Sequence, residues 1–579
     1  MMERFRHALV AGVERLTAWA DILDRINVFP IADGDTGRNL VISLTPLRRP
    51  DLDYKSLSRH LLFSARGNSG NIANRFFQSF IQADSWESIP GAVRLGRDRA
   101  WEAVPDPRQG TMLSVFDALA AELSHSRILS NPEGMSRILS HLENVVRDTT
   151  DQQPKLRKAG VVDAGALGIF LYFEGFFHVL AEGKLPLRNV AETFQGRLMV
   201  SPSYGEDMEA GYCVDTVVRS EADAAETKRM LSSLGNSIVV TREDAYLKLH
   251  FHTRDRTHVH EKLAHLGQVM GWEEDDLSAQ TSAFGKKNRE PVIHIMTDAA
   301  GALTRQEAKA FGISLLDSYI TVGDRCLPET YFNPHDLYEA MRAGLKATTA
   351  QASVFERHQL YESVMSRYDR VLYLCVGSAY TGNYRAVMDW KRGNDTEDRL
   401  AVIDTGTASG RLGIIAIAAA DFACEATEAE KVISFSRQAI DRSEEYVFLD
   451  SLHYLAAGGR LSKTGAFFGD MLRMKPIVSP GAEGARKVGT AHNREEQLRF
   501  ALKALGRSLP REEKSLVMLQ YSDNLSWVEE VKKEVVQSCP AARVMVHPLS
   551  LTTGVHAGPG TWAVAFLPGI ASSFSRLSP

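Results

Sequence analysis

The chain lacks the charge pattern of a protein that binds nucleic acid or a membrane surface. Its 67 Lys and Arg residues stand against 72 Asp and Glu residues, which gives a formal net charge of −5, and no basic run occurs. It also lacks a long apolar run. The most apolar segments, 165–180 and 412–423, are too short or carry Glu174, so we expect buried helices and no membrane span. We expect no nucleic-acid partner.

Cysteine is also scarce, and its arrangement excludes a disulfide framework. The five cysteines are widely separated and form no CxxC pair. The first residues, MMERFRHALVAGVERL, contain charges throughout and no apolar core of a secretory leader. We therefore expect reduced thiols and a cytoplasmic location.

What the sequence does contain is enough ordinary globular material for several domains. With 579 residues, 44% of them hydrophobic and 24% charged, the chain suits roughly three or four domains. Apolar residues near the start (Phe5, Leu9, Val13, Leu16) recur in steps of three and four, which predicts an amphipathic helix. Similar periodicity continues to about residue 195 without a clear alternating strand. An antiparallel helical bundle or barrel is predicted for 1–195.

The segment 27–39, NVFPIADGDTGRN, is the most informative stretch of this first region. It places Asp33 and Asp35 two residues apart, among glycines that let the backbone bend. Converging carboxylates beside phosphates provide the hard oxygen ligands that Mg²⁺ requires. The alternative is an Asp/Gly-rich surface turn.

Three further loops each open a predicted helix. They are ARGNSGN (65–71), QGT (109–111) and VVDAGALG (161–168). Backbone N–H groups at a helix N-terminus favour anions. Together with the aspartate pair, these loops predict a nucleotide-phosphate site, although each alone is a weak signal.

In this order, the four motifs resemble the DhaL/DAK2 family, the ATP-binding domain of dihydroxyacetone kinases and of the bacterial fatty-acid kinase. The resemblance implies an all-α, eight-helix barrel that binds ATP and Mg²⁺, with Asp33 and Asp35 as the catalytic pair of metal ligands. The residues that it places at the nucleotide are Thr36, Asn39, Asn68, Ser69, Gly70, Thr111, Asp163 and Gly165. Dihydroxyacetone kinases have a further upstream Asp, where this chain offers Asn27 or Asp24, so the third metal ligand stays open.

Residues 196–272 change to a β-α-β-β-α pattern, which predicts a small two-layer α/β domain. In the strand that contains LHFHT, His250 and His252 project from the same face, because side chains alternate with period two. With Cys213 on a neighbouring strand, they are candidate zinc ligands; an ordinary polar strand face is the alternative. The GYC and HFHT motifs resemble the middle domain of the fatty-acid kinase, which implies a dimerising domain with functional Cys and His residues.

A polar linker is predicted at 273–290, followed by a second α/β region at 291–579. Short β-branched runs alternate there with helical stretches, which predicts mainly parallel sheets with binding loops at the carboxyl ends of the strands. Glycines and hydroxyl side chains mark those loops in TTAQAS (348–353), GSAYTGNY (377–384), AAGGRLS (456–462) and HAGPG (556–560). Such groups donate hydrogen bonds to an anionic head group.

The ordered loops resemble the DegV family of fatty-acid-binding proteins. The resemblance implies a two-lobed α/β domain that holds one long-chain fatty acid. It makes Thr349 and Ser378 contacts of the lipid carboxylate, places His556 near the head group, and has Gly459 and Arg460 shape the surrounding loop.

The whole chain thus resembles a fusion of a kinase with a lipid carrier. We expect ATP-dependent phosphorylation of a fatty-acid carboxylate to an acyl phosphate. The alternatives are a lipid-binding or lipid-sensing protein with an inactive kinase half, and a kinase for a dihydroxyacetone-type small molecule. A homodimer and a downstream acyltransferase at the membrane surface are the expected protein partners. No catalytic histidine is expected in the helical domain, because a carboxylate is already ionised at neutral pH.

Overall fold

The computed structural model describes residues 2–49, 51–104, 106–124, 129, 131–205, 211–277, 291–451, 454, 474–510 and 513–569. The chain divides into two compact units, Met1–Lys287 and Asn288–Pro579. Each unit is described by itself. Among the helices in the described ranges, none combines the length and the apolarity needed to cross a bilayer.

The first part of the first unit is helical, as predicted. Its helices are α1 (Met2–Ala18), α2 (Ala20–Ile26), α3 (Thr36–Leu44), α4 (Tyr54–Ser64), α5 (Gly67–Phe80), α6 (Ile89–Ala103), α7 (Met112–Glu122), α8 (Pro132–Gln152), α9 (Pro154–Ala159), α10 (Ala164–Leu180) and α11 (Val190–Thr193), with a 3-10 turn at Thr45–Arg48. Seven of them pack in a closed circuit that runs α1, α3, α5, α6, α7, α8, α10 and back to α1.

Helix α10 lies in the core of this circuit, because nearly all of its side chains are apolar and buried. Its one charged residue, Glu174, is 1% exposed and accepts hydrogen bonds from Arg15 of α1 at 2.7 and 3.0 Å. The aromatic rings of Phe76 and Phe116 stack with their centroids 4.1 Å apart. The predicted burial of 165–180 is therefore confirmed. The negative charge of Glu174 is balanced by Arg15 within the helical part.

The middle region forms a four-stranded antiparallel sheet covered by two helices. Its elements are β1 (Tyr212–Arg219), α12 (Ala224–Leu231), β2 (Asn236–Glu243), β3 (Tyr246–Thr253), α13 (Arg256–Leu266) and β4 (Gln268–Asp276), with strand order β2-β3-β1-β4. This sheet packs against the helical part: Ser58 donates to Glu243 at 2.8 Å, and the rings of Phe63 and Tyr246 lie 5.4 Å apart.

The predicted start of the linker at residue 273 is wrong. Residues 273–276 belong to β4, where they pair with Tyr212–Asp215 of β1. Their acidic composition indicated a linker, but β4 is an edge strand, and an edge strand carries charged side chains readily because it faces water. The linker residues 278–290 lie outside the described ranges.

The second unit has thirteen strands and nine α-helices in the described ranges. The strands are β5 (His294–Asp298), β6 (Ile313–Leu316), β7 (Ser318–Val322), β8 (Arg325–Pro328), β9 (Ala347–Gln351), β10 (Val371–Cys375), β11 (Leu400–Asp404), β12 (Glu444–Phe448), β13 (Lys475–Ser479), β14 (Arg486–Ala491), β15 (Ser515–Tyr521), β16 (Ala542–Pro548) and β17 (Trp562–Leu567). The helices are α14 (Arg305–Phe311), α15 (Pro334–Arg342), α16 (Val354–Met365), α17 (Asn383–Asn394), α18 (Ser409–Glu425), α19 (Ala429–Arg442), α20 (Arg494–Ser508), α21 (Leu525–Ser538) and α22 (Leu551–Ala557). Two 3-10 turns lie at Ala299–Gly301 and Glu329–Tyr331.

These strands form three sheets, with orders β11-β10-β5-β6, β14-β13-β12-β17-β15-β16 and β8-β7-β9. Helix α18 packs against strands of both larger sheets, which explains why 412–423 is apolar and buried. The four-stranded sheet is parallel as predicted. The prediction of mainly parallel sheets is wrong for the other two. In the six-stranded sheet only β15 and β16 run parallel, and the three-stranded sheet is antiparallel. Short turns such as the one between β13 and β14 permit only antiparallel pairing.

Candidate functional site

The loop between α2 and α3 presents the aspartate pair at the start of α3. Asp24 of α2 accepts hydrogen bonds from the backbone N–H groups of Gly37 at 2.7 Å and Arg38 at 3.1 Å. The Asn27 side-chain amide donates to Asp33. Of the two residues considered for a third metal ligand, Asp24 therefore caps α3 and Asn27 supports Asp33.

In this loop Asp35 is buried and Asp33 is half-buried, and the two carboxylates interact directly. Burial and the charge of Asp35 raise the pKa of Asp33 well above its ordinary value. Burial also raises the pKa of Asp35, although Arg38 and Asn39 partly offset this effect. A buried carboxylate beside a half-buried one fits a divalent cation, since the cation supplies the missing positive charge. The donor chemistry of this loop fits Mg²⁺.

The first turn of α5 lies against the aspartate loop. Gly67 begins this helix with φ at +58°, and a Cβ there would overlap the side-chain amide of Asn39. A Cβ at Gly70 would overlap the Ser43 hydroxyl in the same way. Glycine at these positions thus brings backbone N–H groups close to Asn39 and the aspartates. Asn68 and Ser69 lie in the same turn and are half-buried.

A small cleft opens where these two loops meet the middle sheet. Its walls include Asp35, Asn39 and Gly67 from the helical part. From the middle sheet they include Cys213, Asp215 and the acidic residues of β4. Arg38 and Arg66 also line the cleft and pair with β4: Arg38 lies 3.5 Å from Asp275, and Arg66 contacts Glu273.

The remaining predicted nucleotide residues cluster at the N-termini of α7 and α10. The hydroxyl of Thr111 caps α7 by accepting from Leu113 N–H at 3.3 Å. Asp163 caps α10 by accepting from Ala166 N–H at 2.7 Å, and burial raises its pKa to about 7. A Cβ at Gly165 would overlap the Met112 side chain, so the two helix starts touch. The lining of the cleft includes neither Thr111 nor Asp163.

In the middle sheet the structure brings together Cys213, His250 and His252. In the β1–β3 register Cys213 lies opposite His252, and Asp215 lies opposite His250. One ligand atom from each of the three residues lies within 4.8 Å of the others, and all three side chains are buried. The cluster has the composition of a three-residue zinc site with an open fourth position.

The protonation of this cluster also fits a metal. Nε2 of His250 and Nδ1 of His252 are buried without a hydrogen-bond partner. Burial lowers the pKa of His252 to about 3, which keeps it neutral as a ligand must be. Burial and Asp215 raise the pKa of the Cys213 thiol, so thiolate formation there requires a cation.

In the second unit the structure brings two of the predicted lipid contacts together. Oγ1 of Thr349 on β9 lies 3.2 Å from Nε2 of His556 on α22. Ser378 follows β10, is exposed, and its backbone N–H donates to Asp404 at 3.1 Å. The predicted loop residues Gly459 and Arg460 lie outside the described residues.

Three family models match successive parts of the chain. A DAK2 domain model matches residues 30–178, a model for the middle domain of fatty-acid-kinase-like proteins matches 209–284, and the DegV family model, described as uncharacterised, matches 292–569. The chain is a fusion of kinase-like and DegV domains. The predicted resemblances are thus confirmed.

Curated relatives resemble only part of the fusion. Protein YloV of Bacillus subtilis is 28% identical over 321 residues, which cover 50% of this chain and 57% of that protein. An uncharacterized protein of Staphylococcus haemolyticus is 31% identical over 281 residues, which cover 43% of this chain and 50% of that protein. This chain spans about half the length of the curated relatives that it matches.

Solved structures resemble the DegV domain. A DegV family protein of Thermus thermophilus, described as binding fatty acid, shows 22% identity and a TM-score of 0.45 over 48% of this chain and 99% of its own. DegV of Bacillus subtilis, described as a fatty acid binding protein, shows 18% identity and a TM-score of 0.44 over 48% of this chain and 99% of its own.

Two residues of the middle sheet were not predicted from the sequence as part of the site. Asp215 and Lys248 are buried charges on β1 and β3, and their charged groups lie 3.6 Å apart. A signal was present for Asp215, since it follows Cys213 by two positions in a strand and therefore shares its face. The polar face of this sheet thus contains more residues than the three candidate metal ligands.

Proposed function

We propose that the protein is an ATP-dependent kinase that phosphorylates the carboxylate of a fatty acid carried by its DegV domain. One observation carries the proposal: the neighbouring carboxylates Asp33 and Asp35 lie at the N-terminus of α3, and Asp35 lines a cleft together with Gly67 at the start of α5. Helix N-termini bind phosphate, and paired carboxylates bind the cation that accompanies it. The match to the middle-domain model of fatty-acid-kinase-like proteins supports a fatty acid as the substrate.

In this proposal the protein mainly positions the nucleotide and the metal ion, and it supplies few groups that react themselves. The first turn of α5 holds the phosphates, with Asn39, Ser69 and Gly70 around them. Asp33 and Asp35 hold Mg²⁺, which neutralises charge on the phosphates when bound. Thr111, Asp163 and Gly165 support the nucleotide from the neighbouring helix starts.

The reaction needs no general base. A fatty-acid carboxylate is ionised at neutral pH, so one of its oxygens attacks the γ-phosphorus directly. The new bond joins that oxygen to phosphorus, and the bond from phosphorus to the bridging oxygen breaks. The products are an acyl phosphate and ADP, and no proton needs to be removed from the nucleophile.

The DegV domain supplies the carboxylate. The Thr349 hydroxyl and the His556 imidazole lie 3.2 Å apart, and both groups can donate a hydrogen bond to a single anionic head group. Covalent fusion of the carrier with the kinase raises the effective concentration of lipid at the nucleotide to roughly the millimolar range.

Zinc at Cys213, His250 and His252 belongs to the same proposal. Its orphaned imidazole nitrogens and buried thiol would hold the ion in the middle sheet and leave its fourth position open. Metal analysis of the purified protein should find about one zinc per chain, and Cys213→Ser should lose it. Retention of zinc by that variant would contradict the assignment. Cys326→Ser is the matched control, because this cysteine lies in the second unit.

Native mass spectrometry before and after addition of Mg·ATP tests the function. We expect a chain that carries a fatty acid, and after addition a gain of one phosphoryl group on that lipid. Bound lipid without any phosphoryl gain would instead identify a lipid-binding protein with an inactive kinase half. Transfer to dihydroxyacetone rather than to the lipid would identify the small-molecule kinase. Asp33→Asn is the negative control.

A further inference from the structure

Asp215 on β1 is a buried carboxylate that has no part in the function proposed above. It is 7% exposed and belongs to the middle sheet, yet its side chain reaches the DAK2 domain. A buried carboxylate requires specific partners, because its desolvation is costly. The identity of those partners indicates what it does.

Two of its partners lie in the first turn of α5. The backbone N–H of Gly67 donates to one carboxylate oxygen of Asp215 at 2.8 Å, and the Asn71 side-chain amide donates to the other at 3.0 Å. The same amide also donates to the Gly67 carbonyl at 2.7 Å. N–H groups in the first turn of a helix have no partner within the helix. Asp215 therefore fixes the start of α5 from outside.

Its other two partners lie on β3. Nδ1 of His250 lies 3.3 Å from one Asp215 oxygen, and Nζ of Lys248 lies 3.6 Å from the other. Lys248 supplies the positive charge that a buried carboxylate requires, and His250 adds a second polar contact from the same strand.

We propose that Asp215 is a positioning residue for nucleotide binding, which holds the phosphate-binding turn of α5 in place from the middle domain. This inference rests on the proposed function in so far as that turn binds ATP. Gly67 lies against Asn39 and lines the cleft together with Asp35, so a shift of the turn changes the cleft itself. Asp215 need not touch ATP to have this effect.

Asp215→Asn tests the proposal. The new amide can still accept from Gly67 N–H, but its NH₂ group faces the Asn71 amide and Lys248, donor against donor. We expect KM for Mg·ATP to rise about tenfold to a hundredfold, as for the loss of a hydrogen bond to a charged group. We expect kcat to change less than about threefold, because the lost interaction acts equally in the ground state and the transition state. A general structural defect would instead lower the active fraction, and with it kcat, at unchanged KM.

Asp223→Asn is the matched control. Asp223 lies in the same domain, is exposed, and caps α12 by accepting from Ala225 N–H at 2.9 Å. Asn71→Ala is the second variant, since it removes one α5 partner and leaves Lys248 and His250 with their carboxylate. It should also raise KM for Mg·ATP. A KM within twofold of the wild type in Asn71→Ala and in any folded Asp215→Asn protein would overturn the proposal.

Peptide-resolved hydrogen exchange separates this proposal from the proposed function. Without nucleotide, the segment 66–71 should exchange at least about tenfold faster in Asp215→Asn or Asn71→Ala than in Asp223→Asn. If the wild type binds no Mg·ATP, the proposed function fails, but faster exchange of 66–71 still supports Asp215 as the residue that holds this turn. Equal exchange in all variants would overturn that role.

Discussion

The cleft in the first unit and the Thr349–His556 pair in the second unit are both candidate sites for anions, and they are built in opposite ways. The cleft is lined by charged residues, among them the buried carboxylates Asp35 and Asp215. The Thr349–His556 pair joins a hydroxyl to an imidazole.

Under the proposed function, the difference follows from what each site would hold. A nucleotide triphosphate carries several negative charges, so its site needs cations, and buried carboxylates recruit them. A single lipid carboxylate needs only hydrogen-bond donors. Substitutions should therefore affect the cleft mainly through electrostatics and the lipid site mainly through single hydrogen bonds.

The largest effect is expected at the aspartate pair. Asp33→Asn removes a carboxylate and with it a proposed metal ligand, so turnover of Mg·ATP should fall about a hundredfold to a thousandfold. Thermal stability without Mg²⁺ should stay equal or rise, because the charge of Asp35, which raises the pKa of Asp33, then has no second carboxylate to repel. A parallel loss of stability and activity would contradict the electrostatic account. Asp148→Asn, at an exposed position of α8, is the control.

A buried charge that is fully paired should respond in the opposite sense. Glu174→Gln leaves Arg15, which is 0% exposed, without its counter-charge in the helical core. The free energy of unfolding should fall by about 3–5 kcal/mol, measured by chemical denaturation. Arg108→Gln breaks an exposed ion pair with Asp106 and should change little. An equal fall in the free energy of unfolding for the two substitutions would show that burial does not determine how much these ion pairs contribute to stability.

A third effect concerns pH and a buried carboxylate of the second unit. Burial raises the pKa of Asp298 to about 6, although Tyr373 and the backbone N–H of Val376 donate to it at 2.8 and 2.6 Å. Between about pH 4 and 6 the folded protein holds a proton that the unfolded chain has lost. The free energy of unfolding should therefore fall across this window as pH rises, by up to about 3 kcal/mol from this group.

Asp298→Asn isolates the contribution of this group. The fall in the wild type between about pH 4 and 6 should be absent from the variant, when both are unfolded in urea at a series of pH values. If the two proteins show the same pH dependence, Asp298 is ionised throughout and its hydrogen bonds outweigh its burial.

The smallest effect is expected at the lipid site. Thr349→Val removes one hydroxyl while keeping the shape of the side chain, so affinity for a long-chain fatty acid should fall about three- to tenfold. Thr348→Val is the control, because neighbouring side chains on β9 point to opposite faces. A loss of a hundredfold or more at Thr349 would mean that this site also depends on charge.

The sequence predicted the fold class and many elements because these depend on local patterns. The helical periodicity before residue 195 and the alternation in LHFHT are examples, and the second placed His250 and His252 on one face. Strand β4 was missed because its residues are acidic, and β9 because its sequence ATTAQ is polar. Both are edge strands, for which composition is a weak guide.

The partners of the site residues could not be predicted in the same way. Asp215 meets Gly67 across 148 positions of sequence. Neither residue carries a local signal for the other, since the contact depends on how a sheet packs against a helix start. Likewise, only the fold shows that the Asp24 carboxylate accepts a hydrogen bond from the N-terminus of α3.

The contacts between the helical part and the middle sheet have a consequence for protein engineering. The DAK2 and middle-domain matches end and begin at residues 178 and 209, which suggests a place to cut or exchange modules. Yet Gly67 with Asp215, and Ser58 with Glu243, cross that boundary. A kinase module transplanted without its own middle sheet would lose those partners. The portable part is therefore the whole unit Met1–Lys287.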